Sequence, residues 1–358
     1  MKAPGKNAVT LDAQLGNNRN FDLPVRFLDN WLRTRLFRGR PVRPVILSYF
    51  VTFRCNLKCS FCDYTDPVFR SRYPEVSTEC AVRLLEIARQ GIPSLAISGG
   101  EPLLRDDIVE ILRAARHFGY KPIALFTNSL LLEEREEVLD YVDFLQISLD
   151  TVEEHCPEPD NGHRGVAAKV KENVRRYARM QKQKRFRINV NCVLSEDHLD
   201  DALGVLEFAE SQNVRFTVAP RLIRESPAPE LVGDKSYQAL VDTIVARKRR
   251  SPAVMDTFAY LRHIRSFLPF KCYPWLTPRV YPNGRLMYPC PVLNYSEYDI
   301  LQMGPWEALE DIILTTHGPE VRCERQCFLP CYLEASTVHS HMLSSAVELR
   351  RLIKEVGK

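Results

Sequence analysis

Between residues 46 and 218 short apolar runs alternate six times with segments of helical periodicity, and this alternation limits the chain to very few folds. The runs at 46–53, 95–98, 123–127, 144–149, 187–194 and 215–218 read as strands. Between them, 78–90, 106–117, 133–139, 165–183 and 197–212 read as helices. Apolar strands that each need a crossover segment form a parallel sheet, either an open doubly wound sheet or a partial barrel. The loops at the strand C-termini then share one side, where such folds build their sites.

The chain has 358 residues, enough for one large α/β domain and a smaller module. It contains no run of 18 apolar residues, and its start lacks the apolar core of a signal peptide, so a cytoplasmic protein is expected. Eleven cysteines in such a chain point to metal rather than disulfides. Three lie at 55–62 and five at 272–331, while Cys80, Cys156 and Cys192 are scattered. Residues 20–45 hold six arginines against two aspartates and so account for the whole net charge of +4. The remainder is close to neutral, which disfavours a general nucleic-acid surface; no DNA partner is expected. In 21–40, Leu28, Leu32 and Leu36, flanked by Phe27, Trp31 and Phe37, share one side of a helix with arginines opposite. That helix is read as a cap burying its apolar face on the domain, with a peripheral membrane contact as the alternative.

Directly after the first strand stands Cys55-Asn56-Leu57-Lys58-Cys59-Ser60-Phe61-Cys62, spaced C-x₃-C-x₂-C. Soft thiolates on one short loop select zinc, copper(I) or an iron–sulfur cluster. Three cysteines fall one short of a closed four-ligand site, unless Asp63 or a distant cysteine completes a zinc knuckle. The spacing, with an aromatic residue before the third cysteine, resembles the radical S-adenosylmethionine (radical SAM) superfamily. The resemblance implies a [4Fe–4S] cluster on Cys55, Cys59 and Cys62, with S-adenosylmethionine chelating its fourth iron. It also selects a partial (β/α)6 barrel.

Strand two ends in Gly99-Gly100-Glu101, where paired glycines allow a ligand close to the backbone and Glu101 can accept from an ammonium group. The family's G-G-E motif binds the methionyl amino group, and these three residues match it. Thr127-Asn128 closes strand three and Ser148-Leu149-Asp150 closes strand four. Polar groups there can hold a ribose or a carboxylate, or cap the next helix. The family's use of these positions implies that Asn128, Ser148 and Asp150 bind the cofactor. Phe61 and, on the polar side of strand five, Asn191 complete the expected cofactor-binding set, with Asn189 beside it. Arg221 and Arg224 are candidates for an anionic substrate group.

Cys272 and Cys290 flank a strand-like pair of runs joined at Asn283-Gly284, a hairpin signal that would bring them together. Cys323, Cys327 and Cys331 follow at four-residue intervals, and Pro330 favours loop-to-helix geometry there. This arrangement resembles the SPASM/Twitch auxiliary-cluster modules of radical SAM enzymes. It implies a second [4Fe–4S] cluster on four of the five cysteines, with structural zinc as the alternative.

The organisation expected is a tail and basic helix (1–44), the barrel (45–232), linker helices (233–270), the auxiliary module (271–335) and a closing helix (336–358). The resemblance implies a radical SAM enzyme of oxidoreductase type, fed by an electron donor such as flavodoxin or ferredoxin. Its auxiliary cluster would assist net oxidation or modification of an organic, peptide or lipid substrate. RNA modification by the same chemistry and a non-enzymatic zinc-braced binding module are the alternatives.

Overall fold

The computed structural model describes residues 23–36, 41–62, 64, 67–152, 165–224, 226–290, 293, 296–318, 327–342, 344–345 and 348. Six strands, β1 (Ile46–Thr52), β2 (Ser94–Gly99), β3 (Ile123–Thr127), β4 (Phe144–Ser148), β5 (Arg187–Leu194) and β6 (Arg215–Pro220), lie side by side in chain order. Every neighbouring pair is parallel. With no reversal of strand order, right-handed crossovers place the helices on one face and leave the other as an interior. This is the α/β, partial-barrel class that the alternation and the resemblance predict.

The helix-facing side is apolar throughout. Leu47, Tyr49 and Val51 of β1, Leu95 and Ile97 of β2 and Ile188 and Val190 of β5 are fully buried. They share one core with α3 (Thr78–Arg89), α4 (Ile108–His117), α5 (Val166–Lys184) and α6 (Asp201–Ser211). Leu84, Leu112, Val174 and Leu206 carry those helices' inner faces. The opposite side is mixed: Gln146 and Ser148 on β4 are register partners of Asn189 and Asn191 on β5, and Asn191 is paired with Thr217 on β6. Asn189 Nδ2 donates to Gln146 Oε1 at 3.0 Å and to Thr217 Oγ1 at 2.8 Å, so this polar layer is bonded to itself.

Local differences from the sequence reading have identifiable causes. The segment expected as a helix at 133–139 is a 3₁₀ turn, Glu136–Asp140, closed by i→i+3 bonds such as Val138 N to Arg135 O. Asp107 stands at the N-cap position of α4 without a side-chain cap bond; its carboxylate accepts from Arg105 and from Thr78 Oγ1, both at 2.6 Å, and ties α4 to α3. In α1 (Leu23–Leu36) the expected apolar face is split. Phe27 is buried, but Leu28 and Leu36 are 45% and 67% exposed. Asn30 turns inward instead, holding Arg43 through its backbone N (2.7 Å) and O (2.8 Å).

After a short helix α2 (Pro67–Arg72) in the first loop and a two-residue ribbon β7 (Leu222–Ile223) and β8 (Ser226–Pro227), the chain forms α7 (Lys235–Arg250) and α8 (Phe258–Ser266). Asp234 caps α7 by accepting from Tyr237 N, and Thr257 caps α8 by accepting from Tyr260 N. The cysteine-rich segment then adds to the main sheet. β9 (Arg279–Val280) pairs in parallel with β1, while β10 (Arg285–Tyr288) and β11 (Ser296–Asp299) continue antiparallel beyond it. The Asn283-Gly284 turn lies between β9 and β10, with Gly284 at φ 75°. The resulting sheet has nine strands in the order β11-β10-β9-β1-β2-β3-β4-β5-β6. α9 (Trp306–His317) locks this extension onto the core: the Trp306 ring occupies the space where a Cβ on Gly91 would stand, 2.1 Å away. α10 (Pro330–Ser340) packs against α8 and α1. Of the closing helix expected at 336–358, residues 336–340 belong to α10, and most of the remainder lies outside the described residues. Among the described residues no helix is long and apolar enough to cross a membrane.

Candidate active site

The loop leaving β1 is held by backbone contacts before any side chain acts. Gly100 N donates to Thr52 O at 2.8 Å and Glu101 N to Arg54 O at 2.7 Å. A Cβ on Gly99 would stand 2.0 Å from Thr52 O, and one on Gly100 2.2 Å from Arg54 O. The paired glycines therefore give their space to the backbone of the cysteine loop, where the sequence reading gave it to a ligand. Gly99, at φ 141°, also adopts a conformation that a side chain would strain.

Glu101 is likewise placed differently from expectation. Its side chain is fully buried and does not line the cavity. Its carboxylate accepts from Leu103 N (3.0 Å), Thr127 Oγ1 (2.8 Å) and Asn128 N (2.7 Å). Burial pushes this carboxyl up to about 6, while those hydrogen bonds hold it down. Asn128 in turn donates from Nδ2 to Asn56 Oδ1 at 2.7 Å, so one bonded chain runs from the cysteine loop through the ends of β3 and β2.

These strand ends surround a cavity of about 340 Å³, within the range of small-molecule sites. Cys55, Cys59, Phe61 and Cys62 border it, as do Gly99, Gly100, Asn128, Ser148 and Asp150. Of the expected cofactor-binding residues, only Glu101 and Asn191 are absent from its lining; Asn191 Oδ1 accepts from Thr217 Oγ1 at 3.1 Å. Asp150 Oδ1 accepts from Val193 N at 2.8 Å, joining the ends of β4 and β5. Arg221 reaches the lining, makes an ion pair with Glu230 at 3.4 Å, and keeps a buried Nε without a hydrogen-bond partner among the described residues. Arg224 does not line the cavity.

Sequence reasoning missed Tyr64, Thr151, Ser195 and Asp197, which also line it. Ser195 and Asp197 follow the end of β5, so the strand-end rule applied to all six strands would have found them. Tyr64 carries no such signal. It stacks on Phe53 at 5.1 Å, interplanar angle 6°.

The donor set fits a thiophilic metal centre. Three thiols border one pocket, and Leu57 N already donates to Cys55 Sγ at 3.4 Å. Burial pushes the Cys59 thiol up to about 12, helped by Asp150 and the neighbouring Cys62 and Cys55. Among the described residues no three His, Cys, Asp or Glu side chains are drawn close enough to hold a metal as they stand. Thiols that must lose their protons to a metal are expected to close on it as it binds. Asp63, the alternative fourth ligand, lies outside the described residues.

The second set of cysteines also converges. Cys290 and Cys327 are buried with Tyr332, and Cys272 and Cys331 pack against them. Cys331 follows Pro330, the first residue of α10, giving the loop-to-helix geometry expected. Cys323 lies outside the described residues.

Residues 49–209 match the family model described as the radical SAM superfamily, and residues 227–351 match a domain of unknown function, DUF3463. A probable GTP 3′,8-cyclase of Methanothermobacter thermautotrophicus is 38% identical over 117 residues, 32% of this chain and 37% of that protein. The GTP 3′,8-cyclase of Aquifex aeolicus is 32% identical over 172 residues, 46% of this chain and 52% of that protein. The chain thus spans about half or less of the length of these two relatives. The structure of Streptococcus suis SuiB bound to S-adenosylmethionine superposes with a TM-score of 0.61 at 18% identity, covering 85% of this chain and 74% of that one. Native anSMEcpe with bound AdoMet gives 0.53 at 16%, covering 88% and 99%. At these identities the two structures speak for the fold alone. The matched family model, the parallel sheet in chain order and a C-x₃-C-x₂-C loop on the rim of the cavity agree that residues 49–209 form a radical SAM domain.

Proposed function

We propose that this protein is an enzyme that binds a [4Fe–4S] cluster on Cys55, Cys59 and Cys62 and S-adenosylmethionine in the adjoining cavity. When bound, that pair supplies reductive cleavage of a sulfonium C–S bond and a 5′-deoxyadenosyl radical able to take a hydrogen atom from a substrate. The observation that carries the reading is the shared cavity, which the three cysteines line together with Gly99, Gly100, Asn128, Ser148 and Asp150. The chain's own part is to bind, orient and exclude water. Phe126, Leu149, Val166 and Val170 give the cavity apolar walls. Asn128 and Ser148 offer hydrogen-bonding groups to a ribose or carboxylate, and the Nε of Arg221, without a partner among the described residues, supports an anionic group at the β6 end. Glu101 acts at one remove, fixing Asn128 through its backbone N–H.

A second [4Fe–4S] centre on four of the C-terminal cysteines is part of the proposal, supported by the packing of Cys272, Cys290, Cys327 and Cys331 in one cluster. With it the reaction is a net oxidation or modification of an organic or peptide substrate, with flavodoxin or ferredoxin as electron donor. RNA modification is disfavoured by the near-neutral body of the chain, and the zinc-braced binding module by the family assignment.

Anaerobic reconstitution followed by iron and sulfide counting and a 5′-deoxyadenosine assay tests the proposal. About eight irons per chain are expected from two four-iron centres. Cys55→Ala should abolish deoxyadenosine formation, and Cys290→Ala should leave the first centre intact. Deoxyadenosine release unchanged in Cys55→Ala would overturn it.

A peripheral membrane contact is a second reading, favoured by the exposed Leu28, Leu32 and Leu36 of α1 beside its arginines. Equal flotation of the wild type and Leu28→Asp/Leu32→Asp with anionic liposomes would remove it.

A further inference from the structure

Arg279 is the most anomalous side chain outside the cavity. It stands on β9 opposite Ser48 of β1 and is 3% exposed. Its guanidinium lies over two rings, 5.0 Å from the centroid of Phe50 and 5.2 Å from that of Tyr332. Nη2 donates to Cys331 Sγ at 3.1 Å, while Nε and Nη1 are buried without a partner among the described residues. The ionisable groups that act most strongly on it among the described residues are Tyr332, Cys331, Tyr64 and Tyr281, none of them a carboxylate.

A guanidinium stays charged in proteins, and a buried charge without a counter-charge is strongly unfavourable. Ring stacking serves the faces of the guanidinium but leaves its in-plane N–H groups unanswered. A neutral thiol is a weak acceptor, whereas a metal-bound thiolate is anionic and takes a charge-assisted bond roughly twice as strong. The one side chain that Arg279 does bond is a cysteine packed with three others.

We propose that Arg279 is the counter-cation of a metal–thiolate centre built on Cys272, Cys290, Cys327 and Cys331, bonding Cys331 as a bound thiolate and raising the reduction potential of that centre. This rests on the second centre proposed above. Arg279 is a positioning and tuning residue: it holds one ligand, and its fixed positive charge favours the added electron.

The test compares wild type, Arg279→Lys and Arg279→Met, each reconstituted anaerobically, counted for iron and sulfide, titrated by EPR and melted with and without metal. A wild type holding about four irons overturns the second centre itself. With about eight irons, Arg279→Met should move one midpoint, and one only, to more negative potential by at least tenfold in the reduction equilibrium, about 59 mV for one electron. Arg279→Lys, which keeps the charge, should stay nearer the wild type. Equal midpoints in wild type and Arg279→Met overturn the role of Arg279 while leaving the second centre standing. Should Arg279→Met not hold that centre, the metal-free melts decide. The variant should melt above metal-free wild type, having lost an uncompensated buried charge, and a lower melt would make Arg279 a packing residue and overturn the proposal.

Discussion

Glu101 Oε2 accepts the backbone N–H of Asn128 at 2.7 Å, and this bond fastens the end of β2 to the end of β3 beneath the cysteine loop. Glu101→Ala would leave three donors, Leu103 N, Thr127 Oγ1 and Asn128 N, without an acceptor in a buried place. At about 1–3 kcal/mol per abandoned donor, a loss of at least about 3 kcal/mol is expected. Urea denaturation of the metal-free protein measures it. Glu101→Gln should recover only part, because its amide N–H₂ would oppose one of those donors.

Gly100→Ala should release the cysteine loop while sparing the sheet. The added methyl would stand 2.2 Å from Arg54 O, a backbone atom that moves only if the loop does. Iron bound by the first centre should fall severalfold with far-UV circular dichroism unchanged. Full iron retention would show that the loop can yield.

Stability should fall as pH rises through neutrality, and Glu334 should account for part of that fall. Burial raises its carboxyl from 4.5 to about 7, Glu348 adds to the rise, and its Oε2 has no hydrogen-bond partner among the described residues. The folded chain therefore holds a proton that the unfolded chain releases above about 4.5. The contribution is complete below that point and is lost as pH climbs through about 7. Because the residue as a whole is only half-buried, about 2 kcal/mol is the expected scale, less than the full shift would give. Glu334→Gln should flatten the stability profile between pH 5 and 8 by that amount.

Arg221→Met tests the anionic subsite. If its Nε, which has no partner among the described residues, meets a charged group of substrate or cofactor, KM for one of them should rise tenfold or more with a smaller change in kcat. A KM unchanged for both would assign Arg221 to its ion pair with Glu230 alone.

The strands were legible because their outer faces are continuous runs such as Leu47, Tyr49 and Val51, buried on helices that repeat every three to four residues. The rim was legible at Cys55, Cys59, Cys62, Asn128 and Asp150, because the C-terminal ends of parallel strands must meet. The work of Gly99 and Gly100 was not. A glycine pair reports only that something comes close, and here that something is Thr52 and Arg54, more than forty residues earlier. The split face of α1 was hidden for a related reason. Helical spacing locates an apolar stripe but not the direction in which Asn30 and its bonds to Arg43 turn it. The docking of β9 on β1 rests on a two-residue strand, too short for any periodic signal, and Arg279 escaped notice with it.

That docking has a practical consequence for anyone trimming the chain. A fragment ending near residue 270 would keep the whole matched superfamily region yet strip the neighbour from β1, the strand feeding the cysteine loop. Its bare hydrogen-bonding rim would invite other molecules to zip on. Turbid, self-associating preparations of such a fragment would then report a missing border rather than a faulty active centre.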